Sequence, residues 1–285
     1  MSAYQQITEK IAEAIRQGVD GSGYRMPWHN TGGRPVNIAS QRAYRGINTL
    51  SLWASAQERG YVSSLWGTLK QWNTAGAKVR KGERASLIVF WKDLPRNEAP
   101  AEGEEDANKR FVLKTSYAFN ADQVDGWEAR AAEPNREPCA AERLVAAAGV
   151  DLRIGGGRAF YHTKQDFVAM PPLSSFFLAD AYQSVLLHEA AHWTGHTSRL
   201  DRQFGQRFGD KAYAFEELVA ELSAAFLCAD LGVSNEPRAD HAEYVASWLK
   251  VLQSDPRAVF TAAAKATKAA DFLLSFQGEE EKSAA

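Results

Sequence analysis

The sequence predicts an α+β fold in two domains, an amino-terminal α+β half followed by a mainly helical carboxy-terminal half with a small β-sheet. Three observations carry this prediction. The two longest β-branched and aromatic runs, Ala85–Lys92 and Phe111–Phe119, both lie in the first half, whereas Ala-rich helical periodicity dominates beyond Ala140. A Pro-, Glu- and Asn-containing stretch at 131–138 (AAEPNREP) has the composition of a linker. Charge changes sign along the chain: residues 1–97 hold 14 Lys+Arg against 6 Asp+Glu, a formal +8, while the whole chain of 285 residues is at −2.

The elements follow in order. Ile7, Ile11, Ala14 and Ile15 recur at helical spacing, so Tyr4–Gly18 reads as an amphipathic helix that the glycines from Gly18 to Gly23 stop. A loop rich in Gly, Pro and Asn comes next, then helices at Ile47–Arg59 and Ser64–Asn73. The two strand segments are expected to pair antiparallel around a mobile insertion at about 94–110 (LPRNEAPAEGEEDANKR), too polar to offset its own ordering entropy. The domains are thus 1–130 and 139–285, joined by the linker at 131–138. In the second, Glu142–Ala148 reads as a helix and Gly155–His162 and Asp166–Met170 as short strands, with helices at about 176–194, 211–231, 239–253 and 256–275.

Composition narrows the function classes. With 45% hydrophobic and 24% charged residues the chain can bury a core. No run approaches the roughly 18 apolar residues of a membrane span, and the first residues form a mixed-charge amphipathic segment, so a cytoplasmic protein without a membrane partner is expected. Cys139 and Cys228 are distant and in no CxxC pattern, which leaves His and carboxylates as the metal ligands to look for.

The strongest motif is His188-Glu189-Ala190-Ala191-His192 within a helical segment. Residues four apart share a helix face, so both imidazoles can reach one cation while Glu189 sits beside it as a general base. Of the candidates for a third ligand, His196 lies about 12 Å along a straight helix from His188 and could contribute only if the helix broke at Gly195. Ser198 occupies the place where the longer HExxHxxGxxH pattern needs histidine. On the next helix Glu217 and Glu221 share a face and Glu216 points about 100° away. Glu217 is the preferred ligand, with Glu221 accepting the free N–H of a ligand histidine, and the reverse assignment is the alternative.

One Zn²⁺ per chain is the expected cofactor, another divalent metal being the alternative, and the chemistry is amide hydrolysis with Glu189 as the catalytic residue. A purely structural metal site is the rival reading. Tyr182 and Tyr213 are candidate oxyanion donors, and Phe167–Pro172 a candidate edge for an extended peptide.

In the basic half, tryptophans are interleaved with Lys and Arg, the mixture that stacks bases and follows phosphates. Trp28, Arg45, Trp66, Lys70, Trp72, Lys78, Arg80 and Lys81 are the candidate contacts to single-stranded DNA, whereas Trp53 and Trp91 sit in apolar surroundings and are expected in the core.

The chain resembles the antirestriction ArdC family of conjugative plasmids. The resemblance rests on Met26-Pro27-Trp28, Tyr44-Arg45-Gly46-Ile47-Asn48 and the Gly76–Glu83 turn in the first half. In the second half it rests on Leu187–His196 with Arg199-Leu200-Asp201-Arg202, and on Tyr213 through Glu216–Glu221. It implies a single-stranded DNA-binding domain joined to a zincin-like metallopeptidase domain of gluzincin type, with Glu217 at the ligand position. Glu221 departs from the Asp or Asn often found there. The implied role is protection of incoming plasmid DNA from host restriction during conjugation, with an unidentified protein substrate such as a host restriction component. The alternative is a non-catalytic protein that coats single-stranded DNA.

Overall fold

The structure is a computed structural model that describes residues 2–20, 34–93, 111–127, 139–176, 178–202, 204, 211–234 and 241–277. Trp28, the insertion at 94–110 and the linker at 131–138 lie outside the described residues.

The first helix, α1 (Ala3–Asp20), buries Ile7, Ile11, Ala14 and Ile15, the face its spacing predicts. After the short strand β1 (Val36–Asn37), helix α2 (Ile47–Arg59) ends on Gly60, whose left-handed φ of 69° lets its N–H return to Ala56 O. Next come β2 (Leu65–Gly67), α3 (Leu69–Thr74), β3 (Lys78–Val79), β4 (Ser86–Asp93), β5 (Phe111–Asn120) and β6 (Val124–Asp125). The main sheet runs β1-β2-β5-β4, with β4 and β5 antiparallel from Ser86↔Ala118 to Asp93↔Phe111.

The single helix expected over Ser64–Asn73 is instead a strand and a helix. Gly67 passes so close to its neighbours that an added Cβ would lie 2.5 Å from Ile38 Cγ2, and Thr68 with Gln71 then forms a capping box that starts α3. The T-x-x-Q spacing of that box was visible in the sequence. Strand β4 is an edge, and α2 covers it: the Asn48 amide donates to Val89 O at 2.6 Å and accepts from Val89 N at 2.8 Å, while Ser51 donates to Leu87 O.

The second half opens with α4 (Ala140–Ala147) and a sheet of β7 (Asp151–Ile154), β8 (Phe160–His162) and β9 (Phe167–Met170), ordered β7-β9-β8. Strand β7 lies outside the predicted elements because its residues are mostly exposed and carry little apolar pattern. The strand proposed as a free edge, Phe167–Pro172, is therefore the central one, paired parallel to β7 and antiparallel to β8. Four helices complete the fold, α5 (Ala179–Thr194), α6 (Lys211–Leu231), α7 (His241–Ser254) and α8 (Ala258–Leu274). No helix among the described residues is long and apolar enough to cross a membrane.

The two halves share their largest core. Ile7, Ile11, Ile15, Leu50 and Trp53 belong to the same buried cluster as Phe226, Trp248, Val259 and Leu273, with the Trp53 and Phe226 rings 5.8 Å apart and Tyr4 and Phe260 4.6 Å apart. The opposite charges of the halves meet at this junction. Arg34 pairs with Asp230 at 2.8 Å, and Arg45 pairs with Asp271 of α8.

Candidate metal centre

Helix α5 carries the motif into the interior, leaving His188, Glu189 and His192 only 4–9% exposed. Ala190 and Ala191 between them are fully buried, so the helix is enclosed on more than the face that carries the two imidazoles. Glu217 of α6 faces both imidazoles, with its Oε2 3.5 Å from His188 Nε2 and its Oε1 3.6 Å from His192 Nε2. Ligand atoms roughly 2.0–2.1 Å from a tetrahedral zinc lie about 3.4 Å apart, so this spacing fits one cation. All three donor atoms fall within 4.8 Å of one another, and the two rings stand 80° apart, converging on a point rather than stacking.

The donors are backed by further carboxylates. Glu221 Oε2 lies 3.5 Å from His188 Nδ1, and Glu216 Oε1 lies 3.3 Å from His192 Nδ1. Burial alone would lower the His192 pKa, but Glu216 and Glu217 together raise it to about 10. Burial likewise works to raise Glu217, yet its bonds to His188 and His192 hold it far below the usual carboxylate range. The carboxylates around the two imidazoles thus favour a positive charge at this point.

The other candidates from the sequence are not among these three donors. Helix α5 does end at Thr194, but His196 turns to Ser198, with Nδ1 2.8 Å from its Oγ and 3.2 Å from its backbone N. Tyr182 is a core residue at 2% exposure, packed edge-on against Phe176, so it is no oxyanion donor; burial and Glu142 push its hydroxyl up to about 12. Tyr213 is half-buried, one turn before Glu217 on α6. The turn that follows α5 is tied to the small sheet: Arg199 donates to Asp166 and stacks 3.8 Å over the Trp193 ring, and Tyr161 donates to Asp166 at 2.7 Å.

The nucleic-acid candidates divide sharply. Trp66 and Trp72, expected to stack on bases, are 1% and 0% exposed; Trp72 donates to Phe119 O at 3.0 Å and packs on Trp127. They are core residues, because Gly67 and the cap at Thr68 turn both indoles inward. Arg45 is exposed but paired with Asp271, and Arg80 binds Glu83 and Asp122 O. Lys70, Lys78 and Lys81 are exposed. The aromatic side chains that do reach solvent are ones the sequence reading missed or misplaced, Phe90, Trp91 and Tyr117 at 48%, 54% and 57%. Trp91, expected in the core, stands outside it near the far end of β4. Lys114 is also exposed and pairs across the ladder with Phe90.

Comparison with known proteins agrees with this division into halves. Residues 1–119 match the family model described as the N-terminal domain of anti-restriction factor ArdC, and residues 139–265 match that of a zincin-like metallopeptidase. Protein y4eC of Sinorhizobium fredii (strain NBRC 101917 / NGR234) is 46% identical over 98% of this chain and 94% of its own length. The chain belongs to the antirestriction ArdC family. The solved structure of the ArdC protein from plasmid R388 superposes at a TM-score of 0.80 and 39% identity, covering 98% of this chain and 99% of that one. A second structure of the same ArdC, in its Mn(II)-bound form, also matches at 0.80 and 38% identity over 97% and 98% of the two chains. The Escherichia coli DNA primase TraC is 36% identical over 97% of this chain, which spans only 27% of TraC.

Proposed function

We propose that this ArdC-family chain binds single-stranded DNA and carries a divalent-metal peptidase site that protects incoming DNA from host restriction during conjugation. The observation that carries the catalytic half is the convergence of His188 Nε2, His192 Nε2 and one carboxylate of Glu217, beside a buried Glu189 that the ligand set leaves for proton transfer. When bound, a divalent cation there polarises a carbonyl and activates water; zinc suits the N and O donors, and the Mn(II)-bound relative makes manganese the second candidate. Glu216 and Glu221 hold the two rings. Glu189 accepts the proton of the attacking water and returns it to the leaving amine. The protein substrate is proposed to be a component of the host restriction machinery, cleaved in the cytoplasm.

For the DNA half, Lys70, Lys78, Lys81 and Lys114 supply phosphate contacts, and the exposed aromatic side chains supply stacking faces, Phe90 beside Lys114 on one side of the β4-β5 ladder and Trp91 with Tyr117 on the other. Recurrence of the segment inside a protein named DNA primase supports a DNA-handling role. Glu189→Gln in the full-length chain tests the catalytic reading. Metal and DNA binding should persist while antirestriction is lost. Full antirestriction by this variant would favour the alternative, a coating protein with a structural metal.

A further inference from the structure

Glu216, which spacing alone points away from the metal ligands, is held in place by an arginine that comes from the loop after α5. Arg202 Nε lies 3.2 and 3.0 Å from the two Glu216 oxygens, and Nη2 donates to Oε1 at 2.8 Å. The rest of the guanidinium is anchored to the end of α5: Nη1 donates to Thr194 Oγ1 at 2.7 Å and Nη2 to Ala191 O at 2.6 Å. Thr194 Oγ1 donates in turn to the same Ala191 carbonyl. Arg202, Glu216 and Thr194 are all under 7% exposed. Backbone geometry is shaped around this group. Asp201 adopts a left-handed φ of 46°, Arg202 N bonds Gly195 O, and a Cβ on Gly195 would lie 2.9 Å from Arg202 Nη2 and 2.7 Å from Phe204 Cζ.

A fully buried ion pair is a poor way to gain stability, because desolvation cancels most of the attraction and an apolar pair of similar volume does as well. What this pair does provide is direction. With Arg202 gripping both oxygens, Glu216 presents Oε1 to His192 Nδ1, which fixes the ring so that Nε2 faces Glu217. On His188 the corresponding nitrogen, Nδ1, faces Glu221.

We propose that Arg202 is a positioning residue of the metal centre, acting through Glu216 to set the tautomer and orientation of His192. The inference rests on the reading of His188, His192 and Glu217 as metal ligands. It is tested in the full-length protein by chelator-competition titration with Zn²⁺, together with the visible spectrum of the Co²⁺-loaded protein and urea unfolding of the metal-free form. Three variants are needed: Arg202→Met, Arg202→Lys, and the double variant Arg202→Met/Glu216→Gln, which removes both charges. Arg202→Met should weaken Zn²⁺ binding roughly 10–100-fold, the usual cost of losing an outer partner of a metal-bound histidine, and should also destabilise the fold. The double variant should regain most of the stability, since no uncompensated buried carboxylate remains, yet keep the weakened affinity and a shifted Co²⁺ spectrum. Arg202→Lys, unable to reproduce the two-pronged grip, should lose affinity too. Wild-type affinity and spectrum in the lysine or the double variant would overturn the proposal. Failure of the wild-type chain to bind Zn²⁺ would instead overturn the underlying ligand assignment.

Discussion

Replacing Lys10 by methionine should stabilise the protein at neutral pH, and the effect should fade as pH rises. Lys10 lies on α1, largely buried where that helix meets α2, with its ammonium against Ser55 Oγ. Burial pushes its pKa from 10.5 down to about 8, Arg59 adding repulsion and Glu58 offsetting part of it. Keeping the folded protein's lysine charged at pH 7 therefore costs roughly 3 kcal/mol. Methionine fills a similar volume without the charge but forfeits the contact to Ser55, about 1 kcal/mol. Ser55 keeps its bond to Ser51 O. The net gain is about 2 kcal/mol. Its sign with pH follows from the lowered pKa. Between pH 8 and 10.5 the unfolded chain binds the proton that the folded chain has released, so wild-type stability rises through that window relative to the variant. Urea unfolding of both full-length proteins at pH 7 and pH 10 measures the difference. A destabilised variant at pH 7, or a gain that does not shrink by pH 10, would refute the reasoning.

Other outcomes follow from the same geometry. Trp72→Ala should cost about 3–5 kcal/mol by emptying a core position, whereas Trp91→Ala and Tyr117→Ala should leave unfolding nearly unchanged and weaken single-stranded DNA binding, about 1–3 kcal/mol for each base that loses its stacking partner. Fluorescence anisotropy with an oligonucleotide separates the two classes, and unchanged affinity in the two surface variants would remove them from the interface. Single-strand affinity of the full chain should fall steeply between 50 and roughly 200 mM salt if the exposed lysines meet phosphates. Asn48→Ala should cost about 1–3 kcal/mol by leaving both polar groups of Val89 at the sheet edge without their side-chain partner, read by thermal or urea unfolding. Gly195→Ala should lower stability and Zn²⁺ affinity together, because the new methyl displaces Arg202 and Phe204.

What the sequence revealed and what it hid have physical causes. Helix α6 is read correctly over 211–231 because the segment is rich in Ala, Leu and Glu and holds no Gly or Pro, and the four-residue helical repeat puts Glu217 and Glu221 on one face. Spacing along one helix cannot show who meets the neighbouring face. Glu216, about 100° from the face of Glu217 and Glu221, looks uninvolved from spacing alone, and its partner Arg202 reaches it from a separate loop, 14 residues away in sequence. The only trace of that contact was the Arg199-Leu200-Asp201-Arg202 motif, visible but without an assigned role. The tryptophans failed for the opposite reason. Interleaving with basic residues is a property of composition, while exposure depends on register, and a glycine and a helix cap turn Trp66 and Trp72 inward. Apolar neighbours place Trp91 inside on the sequence, although near the end of β4 its ring stands 54% exposed. The junction of the halves was equally hidden. The Ile face of α1 announces that something is buried but not that the carboxy-terminal helices do the burying.

The central claim is that this chain holds one divalent cation between His188, His192 and Glu217. The direct test is titration of Zn²⁺ and of Mn²⁺ into the metal-free full-length protein, wild type beside Glu217→Gln, with stoichiometry and affinity read by chelator competition. One equivalent bound by the wild type, with affinity in the variant falling by more than the roughly 10–100-fold that loss of an outer partner costs, is the predicted result. No binding by the wild type, or equal binding by Glu217→Gln, would contradict it.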